Sequence, residues 1–253
     1  PASGRIFALC GNIPAGRAAF LEISAILGIA IWGKNGDNGT KSTAVFPRIP
    51  RHRTKERMIT MQELQERIRR EGKVLPGNII KVDGFLNHRV DTQLMEHIAE
   101  EFKKYFDTSD ITMVLTAEAS GIALATVCAQ KFGVPMVFAK KAKSDNIEGG
   151  LYQSEIFSYT YKKKMTLIVS KEWLGPEDKV LIIDDFMAKG NAMQGLIDLV
   201  NEAGATLKGI GVAVEKGFQG GGDRFRNIPG VPYKALAVIE SAEPGNIVFR
   251  EED

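Results

Sequence analysis

The chain has 253 residues, of which 44% are apolar and 25% are charged, so it is long enough for an α/β domain with a full hydrophobic core. Its net charge of +2 is unevenly spread, because residues 1–60 carry nine basic and three acidic side chains. Residues 61–253 are therefore mildly acidic, which argues against a broad nucleic-acid-binding face there. Two cysteines, Cys10 and Cys128, exclude a disulfide framework and favour a reducing, cytoplasmic setting.

The N-terminal part of the chain differs in character from the rest. Residues 18–32 form an apolar run that is too short for a transmembrane helix, and residues 48–57 are basic and contain proline. We interpret residues 1–57 as a poorly ordered basic extension that need not belong to the native protein. Residues 58–253 are expected to form one domain.

The first predicted elements of this domain are two helices. Met61, Leu64 and Ile68 recur at helical spacing up to Gly72, which supplies a stop signal. Asp91 is placed to cap a second helix, on which one apolar face is formed by Leu94, Ile98, Phe102 and Tyr105. Between the two helices, residues 79–82 form a short apolar stretch.

Strands and helices then alternate, with strands predicted at 113–116, 135–139, 180–183 and 207–214, and helices at 122–132 and 192–202. This order predicts a mostly parallel, twisted sheet flanked by helices, with right-handed crossovers. Two segments of alternating polarity, 154–161 and 165–170, predict a hairpin that adds antiparallel strands to the sheet. Two further strands are expected at 234–239 and 247–250.

The most informative stretch is residues 180–192. Four apolar residues predict a strand buried on both faces, Asp184 and Asp185 follow at its carboxyl end, and a loop around Gly190 leads into a helix. The N–H groups at the start of a helix bind anions well. Two acids beside an anion site suit a ligand with sugar hydroxyls and a phosphate, such as a phosphorylated ribose. The alternative is an ordinary capped helix that follows two solvated acids.

This stretch resembles the phosphoribosyl-pyrophosphate (PRPP) signature of the type I phosphoribosyltransferases, and from Ile182 to Ala192 it is most similar to their bacterial xanthine-specific branch. Other motifs follow that branch in the same order, at residues 81–88, 118–123, 137–141 and 214–218. The resemblance extends from about Met61 to the C-terminus. It implies the type I phosphoribosyltransferase fold for residues 58–253, with a small hood built from the N-terminal segment of that domain.

The resemblance also implies an activity. The phosphoribosyl group of PRPP would be transferred to xanthine, giving xanthosine 5′-monophosphate and pyrophosphate in purine salvage. Mg²⁺ is expected to bind through substrate oxygens and not at a metal site of the protein. The three histidines show no ligand spacing, in agreement with that expectation. A cytoplasmic homodimer that binds neither nucleic acid nor membrane is implied as well.

Roles for individual residues follow from the same resemblance. Asp184 and Asp185 would hold the ribose hydroxyls at the catalytic centre. The 5′-phosphate of PRPP would bind the backbone of a loop that consists of Ala188, Lys189, Gly190, Asn191 and Ala192, which we call the 5′-phosphate loop. Most of the superfamily has Ser or Thr where Lys189 stands, so its hydroxyl is missing here, and Lys189 either adds a positive charge or points to water.

Pyrophosphate and base have candidate residues of their own. Ser120 and Gly121 lie between a strand and a helix, a geometry that offers N–H groups to an anion, and Lys140 follows a strand. The resemblance implies that they bind pyrophosphate. From the residues alone, an ordinary turn is equally compatible with Ser120 and Gly121, and a solvated basic loop edge would be favoured for Lys140. For xanthine the resemblance indicates Lys216 for the 6-oxo group, Asn87 for the 2-oxo group and Ile80 for apolar contact.

Two other functions stay open from the sequence. One is a transferase for guanine or hypoxanthine, whereas adenine would need an acceptor that Lys216 does not provide. The other is a transcription regulator that keeps the PRPP pocket without catalysis. Such regulators carry an N-terminal winged helix, and the basic residues 1–60 are compatible with it, but their glycine-rich, weakly periodic sequence is not.

Overall fold

A computed structural model describes residues 61–141, 150–158 and 163–251 of the chain. The chain divides into two units, Pro1–Thr54 and Lys55–Asp253, and all described residues belong to the second. The extension expected at residues 1–57 therefore lies outside the described residues. Within the described ranges, no helix has the length and apolar character needed to cross a membrane.

The helices and strands predicted from the sequence are present, with shifted ends. The helices are α1 (Met61–Glu71), α2 (Thr92–Tyr105), α3 (Gly121–Phe132) and α4 (Asn191–Glu202), with a π-helical turn at Asp83–Asn87 and 3-10 turns at Thr108–Asp110, Gly217–Gln219 and Gly222–Arg224. The strands are β1 (Lys73–Leu75), β2 (Ile79–Lys81), β3 (Met113–Ala117), β4 (Met136–Ala139), β5 (Leu151–Ser158), β6 (Lys163–Ser170), β7 (Lys179–Met187), β8 (Thr206–Lys216), β9 (Tyr233–Glu243) and β10 (Asn246–Phe249).

The start of α2 follows the predicted capping. The side chain of Asp91 accepts a hydrogen bond from the Leu94 N–H at 3.2 Å, so one N–H at the helix start is satisfied. Leu94, Ile98 and Phe102 are buried, but Tyr105 is 47% exposed. Tyr105 lies at the end of the predicted apolar face, where the core covers it only in part. Its hydroxyl donates to the Tyr233 carbonyl at 3.2 Å, which holds the ring at the edge of the sheet and not in the core.

A six-stranded sheet forms the centre of the domain, in the order β10-β9-β8-β7-β3-β4. All neighbours are parallel except β10, which pairs antiparallel with β9. One face packs on α1, α2 and α3, and the other packs on α4 and the β5–β6 hairpin. β1 and β2 form a separate antiparallel pair near the sequence start of the described domain. These three layers are the architecture expected for an α/β domain.

The predicted hairpin forms but does not extend the central sheet. β5 and β6 pair only with each other as a two-stranded sheet, and a single bridge between Lys140 and Ile168 links them to the end of β4. The prediction that these strands join the parallel sheet was therefore wrong. The physical reason is packing, because Ile156 and Leu167 are buried against α4 on a face of the sheet instead of continuing its edge.

The central strand is longer than its apolar run. β7 continues through both acids to Met187, since β8 runs alongside it and pairs Asp184 with Val212 and Met187 with Glu215. The prediction that the acids follow the strand is wrong. They belong to the strand itself, which fixes their backbone and sends their side chains to opposite faces of the sheet.

A buried polar network ties β8 to β9. The Glu215 carboxylate is fully buried, forms a salt bridge with Arg226, and accepts a hydrogen bond from the Tyr233 hydroxyl at 2.8 Å. Burial and the Glu215 charge raise the pKa of Tyr233, so its hydroxyl stays protonated and donates. A buried carboxylate is stable only when it is paired in this way.

Removing the Tyr233 hydroxyl tests this network. Tyr233→Phe leaves the Glu215 carboxylate with one donor fewer, so we expect the free energy of unfolding to fall by about 1.5–3 kcal/mol in urea titrations. Tyr105→Phe is the matched control, because Tyr105 is 47% exposed and its hydroxyl donates to a neutral carbonyl and not to a buried charge, so the loss should be no more than about 0.5–1 kcal/mol. Equal losses in both variants would contradict the assigned role of the buried hydroxyl.

Candidate active site

The acid pair lies where three elements meet. Asp184 and Asp185 are buried, at 7% and 4% exposure. The Thr116 hydroxyl, at the end of β3, donates to Asp184 Oδ1 at 3.3 Å. Asp185 accepts twice, from the Ser120 hydroxyl at 2.8 Å and from the Asn87 amide at 2.8 Å. The two carboxylates are thus held from different sides, and their orientation is set before any ligand binds.

Burial also changes the acidity of the pair. The pKa of Asp184 is raised well above its usual value, first because burial disfavours the charged form and second because the Asp185 charge lies beside it. Lys141 and the Thr116 hydrogen bond act in the opposite direction but are smaller. A carboxylic acid in this state takes up hydrogen-bond donors or a cation readily, since either relieves the cost of its charge.

The start of α3 comes unusually close to Asp184. A Cβ atom on Gly121 would lie 2.1 Å from Thr116 Oγ1 and 2.3 Å from Asp184 Oδ1. No side chain fits at that position without displacing the acid or its partner. Gly121 therefore brings the predicted pyrophosphate turn against the acid pair.

The 5′-phosphate loop lines a cavity of about 180 Å³, together with Phe186 and Met187, which follow the acids in β7. Gly190 has a φ of +81°, which glycine adopts without strain, and α4 begins at the next residue. The Gln194 N–H is bonded to the Gly190 carbonyl, so the N–H groups before it belong to the open first turn of the helix. Further lining residues come from β5, β6 and β7 and from the segment after β4, among them Ile156, Phe157, Met165, Phe186 and Lys141.

The two lysines that follow β4 line different cavities. Lys140, the predicted pyrophosphate residue, makes the backbone bridge to Ile168 and lines a different cavity, of about 800 Å³, together with Trp173. Its neighbour Lys141 lines the cavity beside the 5′-phosphate loop, and its N–H donates to Glu118 Oε1 at 2.6 Å. The structure therefore brings Ser120, Gly121 and Lys141 towards the acids and leaves the role of Lys140 a prediction.

The predicted base-binding residues come from three elements. Asn87 ends the π-helical turn and touches Asp185, as described above. Lys216, the last residue of β8, lies 5.6 Å from the centre of the Phe186 ring and donates to the Asn78 carbonyl at 3.4 Å. Burial lowers the pKa of Lys216. Ile80 is only 6% exposed and packs in the core, so little of its side chain is available to a ligand.

Two contributors were not predicted from the sequence. Thr116 is a fully buried hydroxyl in an otherwise apolar strand, and that isolated polar residue was a usable signal. Arg224 donates to the Lys189 carbonyl of the 5′-phosphate loop at 2.8 Å, although it lies 35 residues further along the chain. No periodicity or motif marks Arg224.

The donor set suits a magnesium ion only in part. Asp184 and Asp185 supply the hard oxygen ligands that Mg²⁺ prefers. Among the described residues, no cluster of three or more His, Cys, Asp or Glu side chains is arranged to hold a metal. Most ligands of a magnesium ion at this position would have to come from a substrate.

Comparisons with known proteins agree with this geometry. Residues 86–226 match the phosphoribosyl transferase domain family, and this range includes the acid pair and the 5′-phosphate loop. The chain belongs to the phosphoribosyltransferase family. Xanthine phosphoribosyltransferase of Lachnoclostridium phytofermentans is 53% identical over 192 residues, which are 75% of this chain and 98% of that protein. The enzyme of the same name from Bifidobacterium adolescentis is 51% identical over 193 residues, covering 75% of this chain and all of that protein.

Solved structures support the fold of this phosphoribosyltransferase. Adenine phosphoribosyltransferase of Giardia lamblia, in complex with 9-deazaadenine, superposes with a TM-score of 0.59 at 21% identity, over 73% of this chain and 99% of that one. The adenine phosphoribosyltransferase of Thermoanaerobacter pseudethanolicus gives a TM-score of 0.56 at 19% identity, over 71% and 99%. The type I phosphoribosyltransferase fold predicted from the sequence is confirmed.

Asp184→Asn separates the stability of the site from its activity. Since the folded pKa lies above the 3.8 of an ordinary aspartate, the folded state binds the proton more tightly, and stability falls as pH rises from about 4 towards the folded pKa. The variant has no such loss, so its free energy of unfolding at pH 7 should exceed that of the wild type by about 1 kcal/mol, with little difference at pH 4. Turnover should fall at least about 100-fold.

Urea titrations at the two pH values check the first expectation. Asp198→Asn makes the same substitution at an exposed carboxylate of α4 and serves as the control. A variant that is less stable than the wild type at pH 7 would show that Asp184 is held in its charged form.

Proposed function

We propose that the chain transfers the 5-phosphoribosyl group from PRPP to xanthine and so forms xanthosine 5′-monophosphate and pyrophosphate. The observation that carries this proposal is the position of Asp185. One buried carboxylate accepts from Asn87, a candidate base residue, and from Ser120, a candidate pyrophosphate residue. The base, the ribose and the leaving group would therefore meet within one hydrogen-bonded cluster.

The site supports catalysis by positioning and electrostatics. When the bond from ribose to pyrophosphate breaks, positive charge develops on the sugar, and the acid pair lies next to the sugar in the proposed arrangement. The nucleophile is the base itself, so no covalent intermediate with the protein is required. Mg²⁺ bound to PRPP would neutralise charge on the leaving pyrophosphate. Ser120, Gly121 and Lys141 would surround that group.

In this proposal, the choice of nucleobase depends on hydrogen-bond donors of the protein. Xanthine presents oxo groups at positions 2 and 6, and Lys216 with Asn87 would donate to them. The pKa of Lys216 is lowered by burial, so an electron-rich base close to its amine would restore the charged form. Adenine carries an amino group at position 6, for which a lysine amine is no partner. The names of the two relatives at about 50% identity point to the same base.

The remaining parts of the proposal concern the setting of the enzyme. We place the catalytic domain at residues 58–253 and the reaction in cytoplasmic purine salvage. The relatives align over nearly their whole length with about three quarters of this chain, which supports a catalytic domain smaller than the chain. A homodimer is expected from the family, and sedimentation at several protein concentrations tests it.

Base-dependent pyrophosphate release tests the central proposal. Purified protein is incubated with PRPP, Mg²⁺ and either xanthine, hypoxanthine, guanine or adenine, and release of pyrophosphate is followed. We expect kcat/KM to be highest for xanthine. Preference for guanine or hypoxanthine would support the alternative transferase. Absence of turnover with all four bases, together with a PRPP-dependent shift of DNA, would support the regulator.

Asn87→Ala tests recognition of the 2-oxo group. Hypoxanthine lacks that group, so kcat/KM should fall about 50-fold for xanthine and by less than about tenfold for hypoxanthine. The smaller loss on hypoxanthine would come from the hydrogen bond between Asn87 and Asp185, which the variant lacks whichever base is bound. Steady-state rates with both bases provide the measurement.

A matched control is available for this variant. Asn201 is exposed in the last turn of α4, at the end of the helix away from the 5′-phosphate loop. Asn201→Ala should leave both kcat/KM values within about twofold of the wild type. Equal losses on xanthine and hypoxanthine in the Asn87 variant would remove Asn87 from base selection.

A further inference from the structure

The connection between β8 and β9 packs against the 5′-phosphate loop. Residues 217–226 of this connection, which we call the brace, contain two 3-10 turns. A Cβ on Gly221 would lie 2.1 Å from the Ala188 carbonyl oxygen, so the two backbones touch where no side chain fits. Phe225 is 1% exposed, and its ring would be 2.7 Å from a Cβ on Gly190. The brace is therefore in direct contact with the loop.

Arg224 of the brace bonds to the loop and to α4. Its Nη1 donates to the Lys189 carbonyl at 2.8 Å and to Asn191 Oδ1 at 3.3 Å, and its Nη2 donates to Gln194 Oε1 at 3.3 Å. A guanidinium presents its donors in one rigid plane. One side chain thus fixes the loop, the first residue of α4 and the following turn relative to each other.

The hairpin holds the same asparagine from the other side. Asn191 Nδ2 donates to the Phe157 carbonyl of β5 at 3.0 Å, while its Oδ1 accepts from Arg224. Both ends of the Asn191 amide are therefore engaged, and its orientation is determined. The first turn of α4 is held between β5 and the brace.

The hydrogen bond to Lys189 has a directional consequence. In a trans peptide, the carbonyl of one residue and the N–H of the next point in opposite directions. With the Lys189 carbonyl turned to Arg224, the Gly190 N–H is turned away from Arg224. A charged donor on the carbonyl also polarises the peptide and makes its N–H a better donor.

The positive charge of Arg224 lies at the N-terminus of α4, where the helix dipole is unfavourable to a cation. The start of α4 is the positive end of its dipole, and a cation there is disfavoured unless an anion binds nearby. Lys141 adds a second positive charge, since it lines the cavity beside the 5′-phosphate loop. Arg224 is exposed, whereas Arg226 in the same segment forms a salt bridge with the buried Glu215. An anion in the 5′-phosphate loop would compensate this concentration of positive charge.

We propose that Arg224 is a positioning residue for the 5′-phosphate of PRPP, and that it acts through the Lys189 carbonyl and the Asn191 amide. The loop lacks the hydroxyl that most of the superfamily has at the position of Lys189, so its phosphate-binding geometry depends on its backbone. Arg224 holds that backbone in place from outside the pocket. This inference rests on the proposed function for the identity of the anion.

Arg224→Ala and Arg224→Lys test the proposal. For Arg224→Ala we expect the KM for PRPP to rise about tenfold, with the KM for xanthine within about twofold and kcat within about threefold of the wild type. Arg224→Lys keeps the charge but lacks the planar fork, so it should recover only part of the PRPP affinity. Calorimetric titration with ribose 5-phosphate, which has the 5′-phosphate without the pyrophosphate, should show the same order of affinities.

Arg70→Ala is the matched control, because Arg70 is an exposed arginine of α1 that pairs with Glu71. It should leave both KM values unchanged. An unchanged PRPP KM in Arg224→Ala would overturn the proposal. So would a parallel loss of PRPP affinity, xanthine affinity and thermal stability, which would indicate a structural role only. Full recovery in Arg224→Lys would also overturn it, because charge alone would then suffice. A wild type without xanthine turnover would instead refute the proposed function.

Discussion

The site depends on two adjacent carboxylates that are buried inside a strand. Asp184 and Asp185 belong to β7, which pairs with β8 beyond both of them, so their backbone has no freedom to move towards solvent. Burying a charged group is unfavourable unless hydrogen bonds or an opposite charge compensate for it. Thr116, Ser120 and Asn87 supply part of this compensation. Ribose hydroxyls and a cation would supply the rest, so the same burial that destabilises the empty site favours its ligands.

This constraint explains why distant parts of the chain converge. Asn87 belongs to a π-helical turn before α2, Ser120 to the turn before α3, and Asp185 to β7. Each has a hydrogen-bonding partner in another element, so the geometry of one proposed subsite is transmitted to the next. The 5′-phosphate loop is fixed in a similar way, by the hairpin on one side and the brace on the other. Preorganisation of this kind is what a reaction without a covalent intermediate requires.

The sequence predicted the fold well because the relevant signals are local. Apolar periodicity, the Asp91 cap and the strand–helix alternation determine α2, β3, α3 and β7 within a few residues. It did not predict that β7 continues past Ile183, since pairing with β8 overrides the change from apolar to acidic residues. The hairpin was predicted as a pair, but its packing on α4 depends on the tertiary contacts of Ile156 and Leu167.

The candidate site was predicted unevenly for the same reason. Asp184, Asp185 and the 5′-phosphate loop form one continuous motif, and the sequence therefore indicated them directly. Ser120 and Asn87 were indicated by resemblance, and the structure adds their shared partner Asp185. Arg224 was missed because its role depends on a contact between segments that are 35 residues apart.

The end of β8 has one more consequence. Successive residues of a strand face opposite sides, so Glu215 points into the buried network with Arg226 and Tyr233, while Lys216 lies over Phe186. In the proposed function, a scaffold residue and a base-selecting residue therefore occupy neighbouring positions of one strand, with different partners. If Lys216 selects the base as proposed, substitution at 216 would change the nucleobase accepted without removing the buried carboxylate at 215 on which the β8–β9 network depends.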